Sequence, residues 1–165
     1  MSRAFVKEPD GEQLGDDLPE RPRSSYTNYV TPQGLAQLQR RVRELSAQKE
    51  ALIGNDDLGA RQQLKQVERD LHYYEERVQS AVVVQPEAQS DDKVRFGSTV
   101  EVLDSDGQTL RFTIVGEDEA DATHEKISWM SPLARALLEA QVGDVVTWKR
   151  PVGDKELEVV AIRKG

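Results

Sequence analysis

The chain of 165 residues has no cysteine. Disulfides, thiolate catalysis and cysteine-ligated zinc are therefore excluded. Aromatic residues make up only 5% and there are two histidines. That leaves little material for an aromatic-lined ligand pocket or a histidine metal centre. His72 and His124 lie far apart without partners at ligand spacing and read as incidental. No apolar run approaches the roughly 20 residues needed to span a bilayer, and no apolar signal core follows a basic start. A soluble, cytoplasmic protein without a membrane partner is expected. Positive charge is in the minority, 22 basic against 30 acidic side chains, for a net charge of −8. Such a balance disfavours free binding to nucleic acid through general electrostatics. No nucleophile–His–Asp grouping and no glycine-rich phosphate loop stands out.

What is present is a pair of heptad-patterned segments. The first places apolar residues at Leu35, Leu38, Val42, Leu45 and Leu52; the second at Ala60, Leu64, Val67, Leu71, Tyr74, Val78 and Ala81. Spacings of three and four are those of a coiled-coil seam. Gly54-Asn55-Asp56-Asp57 joins the two, and so short a turn forces an antiparallel hairpin with two carboxylates at its tip. Thr31-Pro32 predicts the start of the first helix, with Thr as cap and Pro at the first helical position. It should run to about Ile53 and stop at Gly54-Asn55. Asp56 or Asp57 can cap the second helix, which should run to about Val82. At 1.5 Å per residue each arm is roughly 30–35 Å long. The seam is filled within the chain, so a monomer is expected rather than a dimerising adaptor.

Residues 1–28 carry Pro9, Gly11, Gly15, Pro19 and Pro22 among many charges and read as a flexible arm, with Phe5 and Val6 as its only apolar pair. Residues 29–84 are the hairpin, 85–92 a linker, and 93–165 a domain whose pattern changes to period two. There, Ser98–Leu103 and Leu110–Val115 flank a hairpin turn at Asp104-Ser105-Asp106-Gly107. Lys126–Trp129, Val145–Trp148 and Leu157–Ile162 complete five strands, and Ser131-Pro132 opens a helix through about Ala140. The fold class is α+β: a helical hairpin followed by an antiparallel sheet with one helix on its face. The hairpin region is neutral, whereas residues 85–165 carry −6; if any part meets phosphate, it is the hairpin.

A resemblance now enters. Tyr29-Val30-Thr31-Pro32-Gln33-Gly34-Leu35 opens it. Phe96-Gly97-Ser98-Thr99-Val100, Ile114-Val115-Gly116-Glu117-Asp118-Glu119-Ala120-Asp121, Ile127-Ser128, Ser131–Leu138 and Gly143-Asp144 follow in order. Together they resemble the Gre transcription factors of bacteria over about residues 29–165. The resemblance implies an FKBP-like C-terminal domain that docks on RNA polymerase. The hairpin then enters the secondary channel, where tip acids help hold a catalytic Mg2+ and a water, and the polymerase hydrolyses its own backtracked RNA. No metal or cofactor is held stably by the factor itself; the tip shares the polymerase magnesium, and the factor is an accessory rather than an enzyme. One or two carboxylates on a probe can complete such a site, because Mg2+ takes oxygen ligands and keeps several waters while the polymerase holds the rest.

Carried over residue by residue, the resemblance assigns the catalytic and metal-directed role to Asp57, with Asp56 as a substitute second acid. Polymerase contact falls to Asp118, Glu119, Asp121, Met130, Ser131, Pro132 and Arg135. Family tips read Asp-Leu with a further acid two positions later; here Asp57-Leu58 is followed by Gly59-Ala60. The arms are also about one heptad short, roughly 10 Å of reach, and Met130 stands where the family has Asn or Asp. Two versions stay open: a factor that stimulates cleavage, and one that occupies the channel without cleaving and competes with other factors. The bland readings stand beside these. Asp56 and Asp57 can be turn and cap residues. Arg40, Arg41, Arg43, Lys65, Arg69 and Arg77 can form a solvated helix face, and Tyr73 and Tyr74 can be packing residues. A peptidyl-prolyl isomerase is suggested by fold alone and lacks spare aromatics, since Phe96, Phe112, Trp129 and Trp148 must also serve the core.

Overall fold

Apolar residues at heptad spacing form two long helices in a computed structural model, which describes residues 18–86 and 90–165. Residues 1–17, with Phe5 and Val6, and 87–89 of the expected linker lie outside the described part. Helix α1 spans Pro32–Leu52 and α2 spans Leu58–Ser80. In the seam Leu45, Val67 and Leu71 are buried, with Val42, Leu52 and Tyr74 packed against them. Leu38 and Ala60 are also buried. Lys49 reaches across to Glu68 at 3.5 Å. The helices stop one to two residues sooner than the apolar pattern suggests. Gly54 takes a left-handed φ of 87°, and Val82–Val83 leaves α2 as an extended strand.

That strand, β2, pairs in parallel with β1 (Tyr29–Val30), matching Tyr29 to Val82 and Val30 to Val83. The pairing was not foreseen, because two-residue strands carry no period. The chain divides into two compact units. One contains 18–26 and 37–80; the other contains 27–36 together with the described part of 81–165, so that the first turn of α1 belongs to the second.

Within the second unit a five-stranded sheet has the order β5-β4-β3-β7-β6. Its strands are β3 (Ser98–Asp104), β4 (Thr109–Val115), β5 (Lys126–Ser128), β6 (Val145–Trp148) and β7 (Lys155–Lys164). Alternation makes β3 bury Ser98, Val100, Val102 and Asp104 in turn. The core joins Val100, Val102, Ile114, Leu157 and Val159 to Leu133, Ala134 and Leu137 of helix α3 (Pro132–Leu137). The sheet is not wholly antiparallel. Strand β5 runs parallel to β4, Thr113 beside Lys126 and Val115 beside Ser128. Two short 3₁₀ turns, Glu117–Glu119 and Ala122–His124, carry the chain back to the same end before β5 begins. Helix α3 is also shorter than its composition suggests. Val94 exchanges backbone hydrogen bonds with Glu139 and Ala140, both at 2.8 Å, and Glu139 adopts φ 71°. Those tertiary bonds satisfy the groups that a longer helix would have used.

The β3–β4 turn is organised by a buried carboxylate. Asp104 accepts the backbone N–H groups of Gln108 at 2.8 Å and Asp106 at 2.9 Å, and pairs with Lys155 at 3.2 Å. These contacts, the Gln108 amide foremost, hold its carboxyl below the usual carboxylate range. A depressed folded value means the stabilisation is complete above the ordinary Asp range and is lost as pH falls through the folded value. Asp104→Asn should therefore lower the melting temperature by several degrees at neutral pH, and the deficit should narrow below about pH 4, measured by thermal melts across pH.

Candidate functional site

Two regions carry the sequence-predicted residues, and each is built by local capping chemistry. At the hairpin tip, Asn55 Oδ1 accepts the Asp57 N–H at 2.9 Å, tightening the turn. Asp57 Oδ2 accepts the Ala60 N–H at 3.3 Å, and its carbonyl accepts the Arg61 N–H at 2.9 Å. Asp57 is thus the N-cap of α2. Asp56 is exposed, as are Ile53 at 58% and Leu58 at 62%. The tip is therefore two adjacent acids between two bare aliphatic side chains. The family's second acid would fall at position 60, and here Ala60 is only 9% exposed and faces the seam. A carboxylate there would be turned into the helix interface.

The second region lies in the sheet unit. Glu117–Glu119 packs against β5, and Asp121 bridges to Lys126, so the acidic turns border the strand that leads to Met130. Ser131 caps α3, accepting the Ala134 N–H at 3.2 Å, with Pro132 at the first helical position. Pro132 and Arg135 are exposed, while Met130 and Ser131 are half-buried. Asp121 accepts the Thr123 N–H at 3.0 Å and meets His124 Nδ1 at 2.6 Å. The His124 contact, followed by that amide, keeps the Asp121 carboxyl below its ordinary value. His124 is thereby given a partner that spacing alone did not show.

Glu119 departs from the expectation of a surface contact. It is 7% exposed. Its Oε2 accepts the N–H groups of Thr31 and Gly116, each at 3.0 Å, and its Oε1 accepts the Thr31 hydroxyl. Thr31 Oγ1 in turn accepts the Gly34 N–H at 3.0 Å and caps α1. In a capping box the acid three residues after the cap returns to the cap amide. Gly34 occupies that position, and Glu119 supplies the carboxylate from 88 residues away. Gly34 has to lack a side chain, because a Cβ there would overlap the Glu119 carboxyl carbon. The missing acid after Thr31 was the available signal.

Three of the six basic candidates on the hairpin are buried or paired within the chain. Arg77 is 4% exposed and is no phosphate-facing cation; Arg41 pairs with Glu44 at 3.3 Å and Arg69 with Asp70 at 3.6 Å. Arg40, Arg43 and Lys65 remain exposed. Tyr29 packs on Phe96 and Trp129, with ring centroids 6.0 and 5.2 Å apart, and Phe112 packs on Trp148 at 6.4 Å. The aromatics an isomerase pocket would need are thereby engaged. A cavity of about 220 Å³ in this unit is lined by Thr31, Thr99, Thr113, Glu119 and Lys126 among others, none of them aromatic.

A coiled-coil hairpin with an acidic tip, joined to a sheet domain with a capped SPLARALL helix, defines the class. Residues 89–164 match the model of the C-terminal part of the transcription elongation factors GreA and GreB. The transcription elongation factor GreB of Neisseria meningitidis is 35% identical over 151 residues, 82% of this chain and 93% of that protein. GreA of Alkalilimnicola ehrlichii is 42% identical over 106 residues, 63% of this chain and 67% of that protein. A solved structure of GreA factor homolog 1 of Thermus thermophilus is 28% identical, covering 84% of this chain and 99% of that one, with a TM-score of 0.39. The chain belongs to the GreA/GreB family of transcription elongation factors.

Two substitutions check this geometry by chemical denaturation. Glu119→Ala leaves the Thr31 and Gly116 amides without their acceptor and should cost about 2–6 kcal/mol at roughly 1–3 per buried group; Glu119→Gln should cost less. Ala60→Glu should destabilise the hairpin by about 1–3 kcal/mol rather than add a second acid to the tip.

Proposed function

We propose that this chain binds RNA polymerase, places its hairpin in the secondary channel, and regulates elongation by occupying it rather than by stimulating cleavage of backtracked RNA. The protein acts as an accessory; any hydrolysis would be the polymerase's own. Family membership supports the partner. The observation that carries the choice between the two versions is the tip. Asp57 is committed on one oxygen to its helix cap, and the position of the second acid is turned into the seam as Ala60.

Among the described residues no cluster of three or more acids or histidines could hold a metal. Mg2+ takes six oxygens in near-octahedral order. Asp56 and Asp57 do not fit a resident magnesium site; at most they add ligands to an ion held by the polymerase. With one Asp57 oxygen accepting the Ala60 N–H, that contribution is smaller and its geometry is fixed by the cap. What the tip does offer is bulk, two negative charges, and the aliphatic surfaces of Ile53 and Leu58. These can exclude other factors and obstruct traffic toward the active centre.

A second reading keeps the cleavage role, favoured by the exposure of Asp56 beside Asp57. Stalled, backtracked elongation complexes separate the two. The expected result is saturable binding to polymerase, no faster release of a 3′ RNA fragment with magnesium, and inhibition of a cleavage-active family member added in competition. Fragment release that disappears in Asp57→Ala would instead establish the second reading. Absence of binding would overturn both.

A further inference from the structure

Residues 18–26 run along the first unit's helix α2, where a flexible arm was expected. Their anchor is Arg21. Its guanidinium carbon lies 4.0 Å from the Tyr73 ring centroid and 5.2 Å from that of Tyr74. A guanidinium nitrogen stands 3.3 Å from Asp70 Oδ1. The two tyrosine rings meet edge to face, 5.1 Å apart and at 90°. Two aromatic surfaces and one carboxylate thus close around one cation. A planar, weakly hydrated guanidinium suits this site better than an ammonium does, because it can stack and donate to the carboxylate together.

The neighbours extend the contact along one stripe of the helix. Arg23 pairs with Glu76, and Glu20 lies 3.4 Å from His72. Asp70, Tyr73 and Glu76 follow at three-residue spacing, which places them on one face. Pro22 separates the two arginines and biases Arg21 toward extended backbone. Two extended residues advance about 6.6 Å. Three to six helical residues advance about 4.5–9 Å. The arginines are therefore in step with their partners.

Charge and stacking hold the segment at Arg21 and Arg23. Leu18 and Tyr26 stay 39% and 52% exposed. Surface ion pairs are individually weak and are screened by salt, whereas ordering an arm costs conformational entropy at every residue. A contact of this composition sits near balance between bound and released.

We propose that residues 18–26 are a releasable strap on the hairpin, seated by an arginine site of Asp70, Tyr73 and Tyr74, and that the strap must lift before the hairpin enters the polymerase. The gating step rests on the function proposed above; the strap itself does not. A second segment lying on α2 thickens the hairpin where insertion requires it to be slender. Release exposes the acid–aromatic stripe and frees Arg21 and Arg23.

The test uses the full chain and two readouts. Backbone NMR relaxation of residues 18–26 reports the strap, with α2 amide shifts confirming that the hairpin is intact. Polymerase affinity, measured by titration at fixed salt, reports the gate. Arg21→Ala should make 18–26 fast-moving and raise affinity about 3- to 10-fold, the gain expected when a state populated at roughly 10–30% becomes dominant. Arg21→Lys should resemble Arg21→Ala, since an ammonium cannot replace the stacked fork. Wild-type relaxation unchanged by Arg21→Ala would overturn the strap. A mobile strap with unchanged or weakened affinity would overturn the gate alone. Relaxation that responds as expected while no variant binds polymerase would overturn the functional reading and leave the strap standing.

Discussion

One carboxylate fastens the start of the first helix to a turn that the sequence reaches only much later. Glu119 satisfies the Thr31 amide, the Thr31 hydroxyl and the Gly116 amide together. Each is a group that burial would otherwise leave without water. Gly34 gives up its side chain to admit that carboxylate, and a Cβ at Gly116 would collide with the Tyr29 carbonyl oxygen. The parallel pairing of Tyr29–Val30 with Val82–Val83 and the packing of Tyr29 on Phe96 and Trp129 lie in the same short segment. Residues 27–36 therefore belong with the sheet although most of α1 does not.

The hairpin obeys a second constraint, between seam and tip. A two-helix seam needs small or apolar residues close to its turn, and Ala60 meets that need one turn into α2. Asp57 meets another, since a helix start must cap its free amides. With both positions engaged in folding, the tip retains the exposed charge of Asp56 and Asp57 and exposed aliphatic surface but not a further acid at position 60. Occupancy and exclusion need only the former. Metal-assisted hydrolysis needs the latter as well, with donors fixed around an ion. The folding requirements of a short hairpin and the chemical requirements of cleavage thus compete for the same few residues.

Much of this architecture was legible in the residues. Heptad spacing marks both helices, Gly54-Asn55 their turn, and Asp56 or Asp57 the second cap, which the structure gives to Asp57. Ser131-Pro132 marked α3, and period-two patterning marked the five strands. These signals are local, and local hydrogen bonding bears them out. What escaped was set by distant partners. The parallel direction of β5 depends on two 3₁₀ turns with no apolar period. The early end of α3 depends on bonds to Val94. Glu119 is expected at the polymerase contact because the resemblance carries the whole acidic run there. Its burial follows from Thr31, far away in sequence, lacking an acid at Gly34. Residues 18–26 were expected to be unstructured for want of apolar area; a count of hydrophobic residues does not register an arginine held between two tyrosines and an aspartate.

The absence of cysteine allows a direct measurement of where the hairpin goes. Ile53→Cys, at an exposed tip position, provides a single thiol for a short photo-crosslinker. Irradiation of the labelled protein with a stalled bacterial elongation complex should join the tip to polymerase segments bordering the active centre or to the RNA 3′ end. Saturable binding with crosslinks confined to the outer surface of the polymerase would contradict channel occupancy.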